Sequence, residues 1–237
     1  MTAALHIFDL DGVITDTAVV HQIAWANIAN DISEKYHVKE TPVIGRAYYL
    51  EKIDGKSRVG GLQAILRDLN IDLDETAFNH YMSLKEEFFF NGLKGLNQHE
   101  IIFQDAFKYL NHLKSLPDTV ITLATSSLNG RKIASAAGLL EYFDYIADGS
   151  TLLKFGLNGK PSPDIFNHVI NCYVDRETSS KVIYEDSTSG VAAAMRSNAT
   201  KVYHINRIEC PRFEAWEHFK GTYKLQTINT LEELISK

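Results

Sequence analysis

Apolar residues fall into two kinds of run along this chain. Residues 5–8, 120–124, 145–147, 181–184 and 201–205 are short, rich in apolar and β-branched side chains and nearly continuous. That is the pattern of strands covered on both faces, and it does not alternate as a half-exposed sheet would. Between most of them lie stretches with helical spacing, at 103–115, 131–137, 163–173 and 190–197. Strands alternating with helices predict an α/β fold with a doubly wound, mainly parallel sheet. One region breaks the rhythm. From about residue 16 to 93 only helical patterns occur, clearest at 25–36, 60–69 and 75–90. This block is too long for an ordinary crossover. It predicts an α-helical cap subdomain over 16–93, inserted into a core made of 1–15 and 94–237. The insert is entered just after the first strand and left near Asn91-Gly92, so both junctions are expected to act as hinges. In open α/β sheets, ligands bind outside the carboxyl ends of the strands, where such a cap can close over them.

Composition narrows the field. With 237 residues, 45% hydrophobic and 23% charged, the chain is ordinary for a globular protein with a substantial core. A formal net charge of −6 argues against sequence-independent nucleic-acid binding, so no nucleic-acid partner is expected. An anionic substrate stays open, because a local field can oppose the global one. Cys172 and Cys210 have no metal-like or redox spacing and read as reduced thiols. No basic leader or long apolar stretch opens the sequence, and no membrane partner is expected. The expectation is a soluble, cytoplasmic monomer.

Candidate chemistry sits where the predicted strands end. Asp9-Leu10-Asp11-Gly12 follows the first strand and brings two carboxylates close together. By itself the pair also reads as turn-forming aspartates. The second strand ends in Thr125-Ser126-Ser127, hydroxyls suited to phosphate oxygens and equally to helix capping. Lys160 precedes a turn stiffened by Pro161 and Pro163; it can neutralise an anionic group, or simply face solvent as most lysines do. A further strand ends in Glu185-Asp186, an acid pair fit for a hard cation such as Mg²⁺ or for capping a helix.

Taken together and in this order, the four segments resemble the four motifs of the haloacid dehalogenase superfamily, with a helical cap between the first and second. The resemblance spans the whole chain and implies a Rossmann-like core. It also implies roles. Asp9 would be the nucleophile that forms an aspartyl-phosphate, and Asp11 the general acid/base. Thr125, Ser126 and Lys160 would bind the transferring phosphoryl group. Mg²⁺ would be held by Asp9, Asp186, the backbone carbonyl of Asp11 and Glu185, the last as ligand or just behind one. The physics is coherent, since a carboxylate attacks a phosphate only if a cation offsets the repulsion. Asp11 favours phosphoryl transfer over dehalogenation, because a departing halide needs no proton.

Within the superfamily, FDLDGVITDTA at residues 8–18, followed by His21 and Trp25, resembles the opening of the β-phosphoglucomutase family. Thr17, His21 and Trp25 are spaced to share one helical face. Gly55-Lys56-Ser57-Arg58 resembles that family's substrate loop, in which the arginine holds the non-transferring phosphate of a hexose phosphate. Lys85, Ser127 and Asn129 match further substrate positions. Several positions depart from the family pattern: Asp54 and Gly61 in the cap, Leu128 after the second motif, and Gln104-Asp105 before the helix leading to the second strand. Phe88-Phe89-Phe90 is expected to pack the cap and its junction with the core. The leading expectation is a Mg²⁺-dependent mutase moving a phosphoryl group between C1 and C6 of a β-hexose phosphate. A sugar-phosphate phosphatase on the same scaffold is the second, and a non-catalytic relative the third.

Overall fold

The structure is a computed structural model and describes residues 3–53, 58–174, 178–207 and 224–235. Asp54 to Ser57 of the substrate-loop segment and Cys210 lie outside the described residues. The chain forms two compact units, Met1–Asp16 with Gln98–Lys237 and Thr17–Asn97.

The first unit is built on a six-stranded sheet of β1 (Ala3–Phe8), β2 (Thr119–Ala124), β3 (Tyr145–Ala147), β4 (Thr178–Glu185), β5 (Lys201–Ile205) and β6 (Leu225–Ile228). Their order is β3-β2-β1-β4-β5-β6, and every neighbouring pair is parallel. From β1 the chain winds outward through β2 and β3, then returns to the other side of β1 for β4, β5 and β6. This is the doubly wound order, and its switch point lies between β1 and β4. Leu5, Ile7 and Phe8 of β1 and Ile183 of β4 are fully buried, as their continuous apolar runs require. One layer of core joins Leu5, Ile7, Val120, Ile183 and Val202 to Ile165, Phe166 and Val169. Elsewhere Phe8, Tyr184 and Tyr203 stack in series.

Helices α6 (Gln104–Ser115), α7 (Gly130–Ala136), α9 (Asp164–Asn171) and α10 (Thr188–Arg196) lie where the apolar periodicity placed them. The expected list lacked α8 (Gly149–Phe155) and β6. Helix α8 has few buried side chains, and its N-terminus is set by Asp148, whose carboxylate accepts from Ser150 and Thr151 backbone N–H groups. Strand β6 is at the sheet edge and buries only Ile228, so it carries no apolar run to notice.

The second unit is helical: α1 (Ala18–Lys35), the single turn α2 (Arg46–Tyr48) running into a π-turn (Tyr49–Ile53), α3 (Arg58–Leu69) and α4 (Glu75–Lys94). The one-turn α5 (Gln98–Ile101) belongs to the first unit. Trp25, Ile28, Ile32, Leu62, Ile65, Leu69 and Tyr81 form the core of the helical unit. Helix α1 starts at Ala18, earlier than its periodicity showed, because Val19 and Ile23 put apolar side chains on the exposed face. Asn91-Gly92, expected to be an exit, lies inside α4. A Cβ at Gly92 would come within 2.9 Å of Val20 Cγ1, so this glycine serves the close approach of α4 to α1. Phe89 is fully buried, and Phe88 packs against the helical core.

Candidate active site

Strand β1 ends at Phe8, and the Asp9 N–H continues the ladder to Tyr184 O at 2.9 Å. The chain then turns sharply. Leu10 O accepts from the Ile14 and Thr15 N–H groups, both at 2.9 Å, and the Gly12 N–H donates to Thr15 O at 2.8 Å. Gly12 has φ of +86°, a backbone state open to glycine and strained for other residues. There is also no room for a side chain, since a Cβ would fall 1.9 Å from Asp186 Oδ2. Gly12 therefore lets the turn close and lets the Asp186 carboxylate lie against it. Thr15 Oγ1 reaches Asp11 Oδ1 at 3.3 Å.

Lys160 ties the strand ends together. Its buried Nζ contacts Asp9 Oδ1, donates to Glu185 Oε1 at 2.6 Å and donates to Ala124 O at the end of β2 at 3.1 Å. Glu185 is fully buried, and its other oxygen accepts from the Ser187 N–H and hydroxyl at 3.0 and 3.1 Å. Burial pushes the Asp9 carboxyl up to about 7. The Lys160 ammonium opposes this shift, and the Glu185 and Asp11 carboxylates add to it. Burial alone would lower the Lys160 pKa, but Asp9 and Glu185 outweigh it and hold the ammonium above its ordinary value.

Asp9, Glu185 and Asp186 each offer a carboxylate oxygen within 4.8 Å of the others. One ammonium against three clustered carboxylates leaves an anionic surplus. All three donors are hard oxygens, so the set fits a hard divalent cation such as Mg²⁺. The Asp11 side chain is outside this cluster.

Thr125, expected in phosphate binding, is buried at the end of β2, and its Oγ1 accepts from the Ser127 N–H at 3.2 Å. Ser126 is exposed and accepts from the Lys160 N–H at 3.3 Å, which couples the second and third motifs. Ser127 Oγ accepts from the N–H of buried Asn129 at 3.2 Å. A Cβ at Gly130 would meet Thr125 Cγ2 at 2.4 Å, so helix α7 starts flush against the threonine.

The helical unit brings together four of the five candidates assigned to it. Thr17 is buried as N-cap of α1, and its carbonyl accepts from the His21 N–H at 2.9 Å. His21 Nδ1 lies 2.7 Å from the buried Lys85 Nζ. An ammonium can only donate, so Nδ1 accepts and the ring proton sits on Nε2. Burial and the nearby Lys85 and Arg58 cations hold the His21 pKa well below its ordinary value. The imidazole stacks on Phe89 with centroids 4.1 Å apart, and Lys85 Nζ lies 5.3 Å from the Trp25 ring centroid. Trp25 itself is buried in the helical core, and a Cβ at Gly61 would press on its ring at 2.9 Å. Arg58, close enough for its charge to act on His21, is itself held in an ion pair with Glu86 at 3.0 Å.

Sequence reasoning missed Ser187, which bonds Glu185 and also caps α10 by accepting from the Gly190 N–H at 3.0 Å. The small residues Ser187 and Gly190 after the acid pair were its only signal. It also missed the Ala124 carbonyl, which no side-chain pattern can announce.

Carboxylates at strand ends on both sides of a switch point, with a lysine between them, are the arrangement in which α/β enzymes can take up a cation and an anionic group. The chain belongs to the haloacid dehalogenase-like hydrolases, whose family model matches residues 4–197. Within that family it is similar to a β-phosphoglucomutase of Bacillus subtilis, 31% identical over 188 residues that cover 79% of this chain and 76% of the relative. A phosphorylated carbohydrates phosphatase of Thermotoga maritima is 25% identical, covering 84% and 83%. The crystal structure of a β-phosphoglucomutase from Clostridium difficile shares the fold, with a TM-score of 0.72, 24% identity and coverage of 99% and 93%.

Proposed function

We propose that this protein is a phosphotransferase that converts β-glucose 1-phosphate to glucose 6-phosphate through the 1,6-bisphosphate and an aspartyl-phosphate on Asp9. The observation that carries the reading is Lys160, whose ammonium joins Asp9, Glu185 and the β2 end at the sheet switch point. A carboxylate held against an ammonium in a buried site is set to attack phosphorus while the same cation meets the incoming charge. Asp9 gives up its share of Lys160 as it forms the acyl phosphate, while the phosphorus bond to the sugar oxygen breaks and that oxygen takes the proton held on Asp11. Asp11, held by Thr15 and outside the acidic cluster, takes the proton from the attacking hydroxyl in one half-reaction and returns it in the other. Asp9, Glu185, Asp186 and the Asp11 carbonyl would hold Mg²⁺, which when bound offsets the repulsion between carboxylate and phosphate. Thr125, Ser126 and Lys160 take the transferring phosphoryl group. Thr17, His21, Arg58, Lys85, Ser127 and Asn129 select the sugar phosphate, with Trp25 acting behind Lys85.

The test is β-glucose 1-phosphate with a trace of glucose 1,6-bisphosphate and Mg²⁺. The expected outcome is glucose 6-phosphate with almost no free phosphate. Release of phosphate without glucose 6-phosphate would overturn the mutase reading and favour a sugar-phosphate phosphatase. That second reading is supported by the likeness to the Thermotoga maritima phosphatase and by Arg58, which is paired with Glu86.

A further inference from the structure

Among the described residues, one buried ion pair touches the candidate active site from behind. Arg207, just beyond β5, stacks its guanidinium on Phe103 with the carbon 4.0 Å from the ring centroid. Its Nη1 donates to both carboxylate oxygens of Asp105, at 2.8 and 2.7 Å. Its Nε donates to Gly12 O at 3.1 Å and its Nη2 to Val13 O at 2.8 Å. Both side chains are largely buried, at 14% and 12% exposure. Asp105 also accepts from Thr230 Oγ1 at 2.9 Å and the Leu231 N–H at 2.8 Å, so the arginine is anchored to a fixed point. Arg207 holds the carboxylate below its ordinary range against the cost of burial.

What the guanidinium grips gives the pair its interest. Gly12 directly follows Asp11, and the peptide planes on either side of Gly12 are both fixed. One is held by the Gly12 N–H on Thr15 O, the other by Arg207 on Gly12 O. Rotation at Gly12 would swing the Asp11 carbonyl and carboxylate away together and would move the surface against which Asp186 lies. Glycine at φ +86° has freedom to rotate, and nothing in its own side chain resists it. A planar fork with five N–H donors holds two successive carbonyls and both oxygens of a carboxylate in one fixed geometry, which the three donors of a lysine ammonium do not reproduce.

We infer that Arg207, anchored by Asp105, is a positioning residue that locks the Asp11-Gly12-Val13 turn in its reactive geometry. The inference rests on the reading of Asp11 as acid/base, so the test separates the two. Arg207→Met, Arg207→Lys and Asp105→Asn are compared in the full chain, each alone and combined with Asp11→Asn, by kcat, KM and thermal midpoint with Mg²⁺ saturating. Arg207→Lys keeps a charge for Asp105 and is expected to regain most of the midpoint lost in Arg207→Met. Both are expected to lose about tenfold or more in kcat, with KM changed by less than about threefold. In the Asp11→Asn background neither lowers the residual rate further, because the carboxylate being positioned is gone and saturating Mg²⁺ offsets any weakening of the metal site by a shifted Asp11 carbonyl. If kcat instead follows the thermal midpoint, or the losses multiply with that of Asp11→Asn, the clamp is structural only and the inference fails. Should Arg207→Met not fold, Asp105→Asn carries the same comparison. Full transfer by Asp11→Asn would overturn the acid/base reading itself, and the inference with it.

Discussion

At the scale of single residues, the site is governed by how few atoms fit around Gly12 and Lys160. Gly12 combines a positive φ with a carboxylate pressed against its Cα. Gly12→Ala is expected to destabilise the protein by about 2 kcal/mol or more, from backbone strain plus displacement of Asp186. Urea denaturation with and without Mg²⁺ measures this, and the variant should also respond less to Mg²⁺. Lys160→Met leaves Asp9 and Glu185 as buried carboxylates with no ammonium. Breaking a buried pair in this way costs about 3 kcal/mol or more. A lower thermal midpoint, together with loss of phosphoryl transfer, is the expected result, and raising Mg²⁺ should recover midpoint more than activity. A midpoint unchanged in metal-free buffer would show that Lys160 carries no such load.

At the scale of elements, strand β1 both delivers Asp9 and carries a pH sensitivity of its own. His6 is buried on β1, its Nδ1 lies 2.8 Å from Tyr184 Oη, and Tyr184 in turn bonds Tyr109 at 2.8 Å. Burial lowers the His6 pKa from 6.5 to about 4. The unfolded chain therefore takes up a proton below pH 6.5 while the folded chain stays neutral to about pH 4. Stability is whole above pH 6.5 and falls as pH drops across that window, by about 3 kcal/mol in total from this group. His6→Phe is expected to flatten the fall between pH 6.5 and 4.5, read as the difference in urea midpoints from the unmodified protein; equal slopes would reject it. The elements themselves show what a pattern of residues can announce. β1 to β5 bury apolar runs on both faces and were legible, whereas β6 sits at the edge and α8 depends on one Asp148 cap. Gly92 illustrates the opposite case. A glycine reads as a chain break, yet here it lies within α4 where Val20 needs the space.

Across the whole molecule, the proposed function divides labour between the two compact units. The three clustered carboxylates and Lys160 belong to the sheet unit, and His21, Arg58 and Lys85 to the helical one. Arg58→Ala is expected to raise KM for the sugar phosphate about tenfold or more while leaving the Mg²⁺-induced rise in thermal midpoint unchanged. Asp186→Asn should show the reverse, losing the Mg²⁺ response. Steady-state kinetics on a panel of sugar phosphates, run beside thermal melts with graded Mg²⁺, separates the two. A Mg²⁺ response that vanishes in Arg58→Ala would contradict the division. Among the described residues no helix is long and apolar enough to cross a membrane.

Read by itself, the order of residues determined the parallel α/β core, the helical insertion and the four segments, three at strand ends and one in the turn before a helix, that carry Asp9, Thr125, Glu185 and Lys160. Those features depend on local periodicity and on residue types close together in the chain, which a linear pattern records. Only the tertiary structure decided which groups meet. Lys160 is joined to Asp9 and Glu185, and His21 to Lys85. Asp105, visible beforehand only as a departure from a familiar pattern, proved to be the anchor of Arg207 beneath the Gly12 turn. Such contacts join residues from 25 to 195 positions apart, and their energies depend on burial and on distances of a few ångströms. Neither quantity exists until the sheet has formed and brought the strand ends side by side.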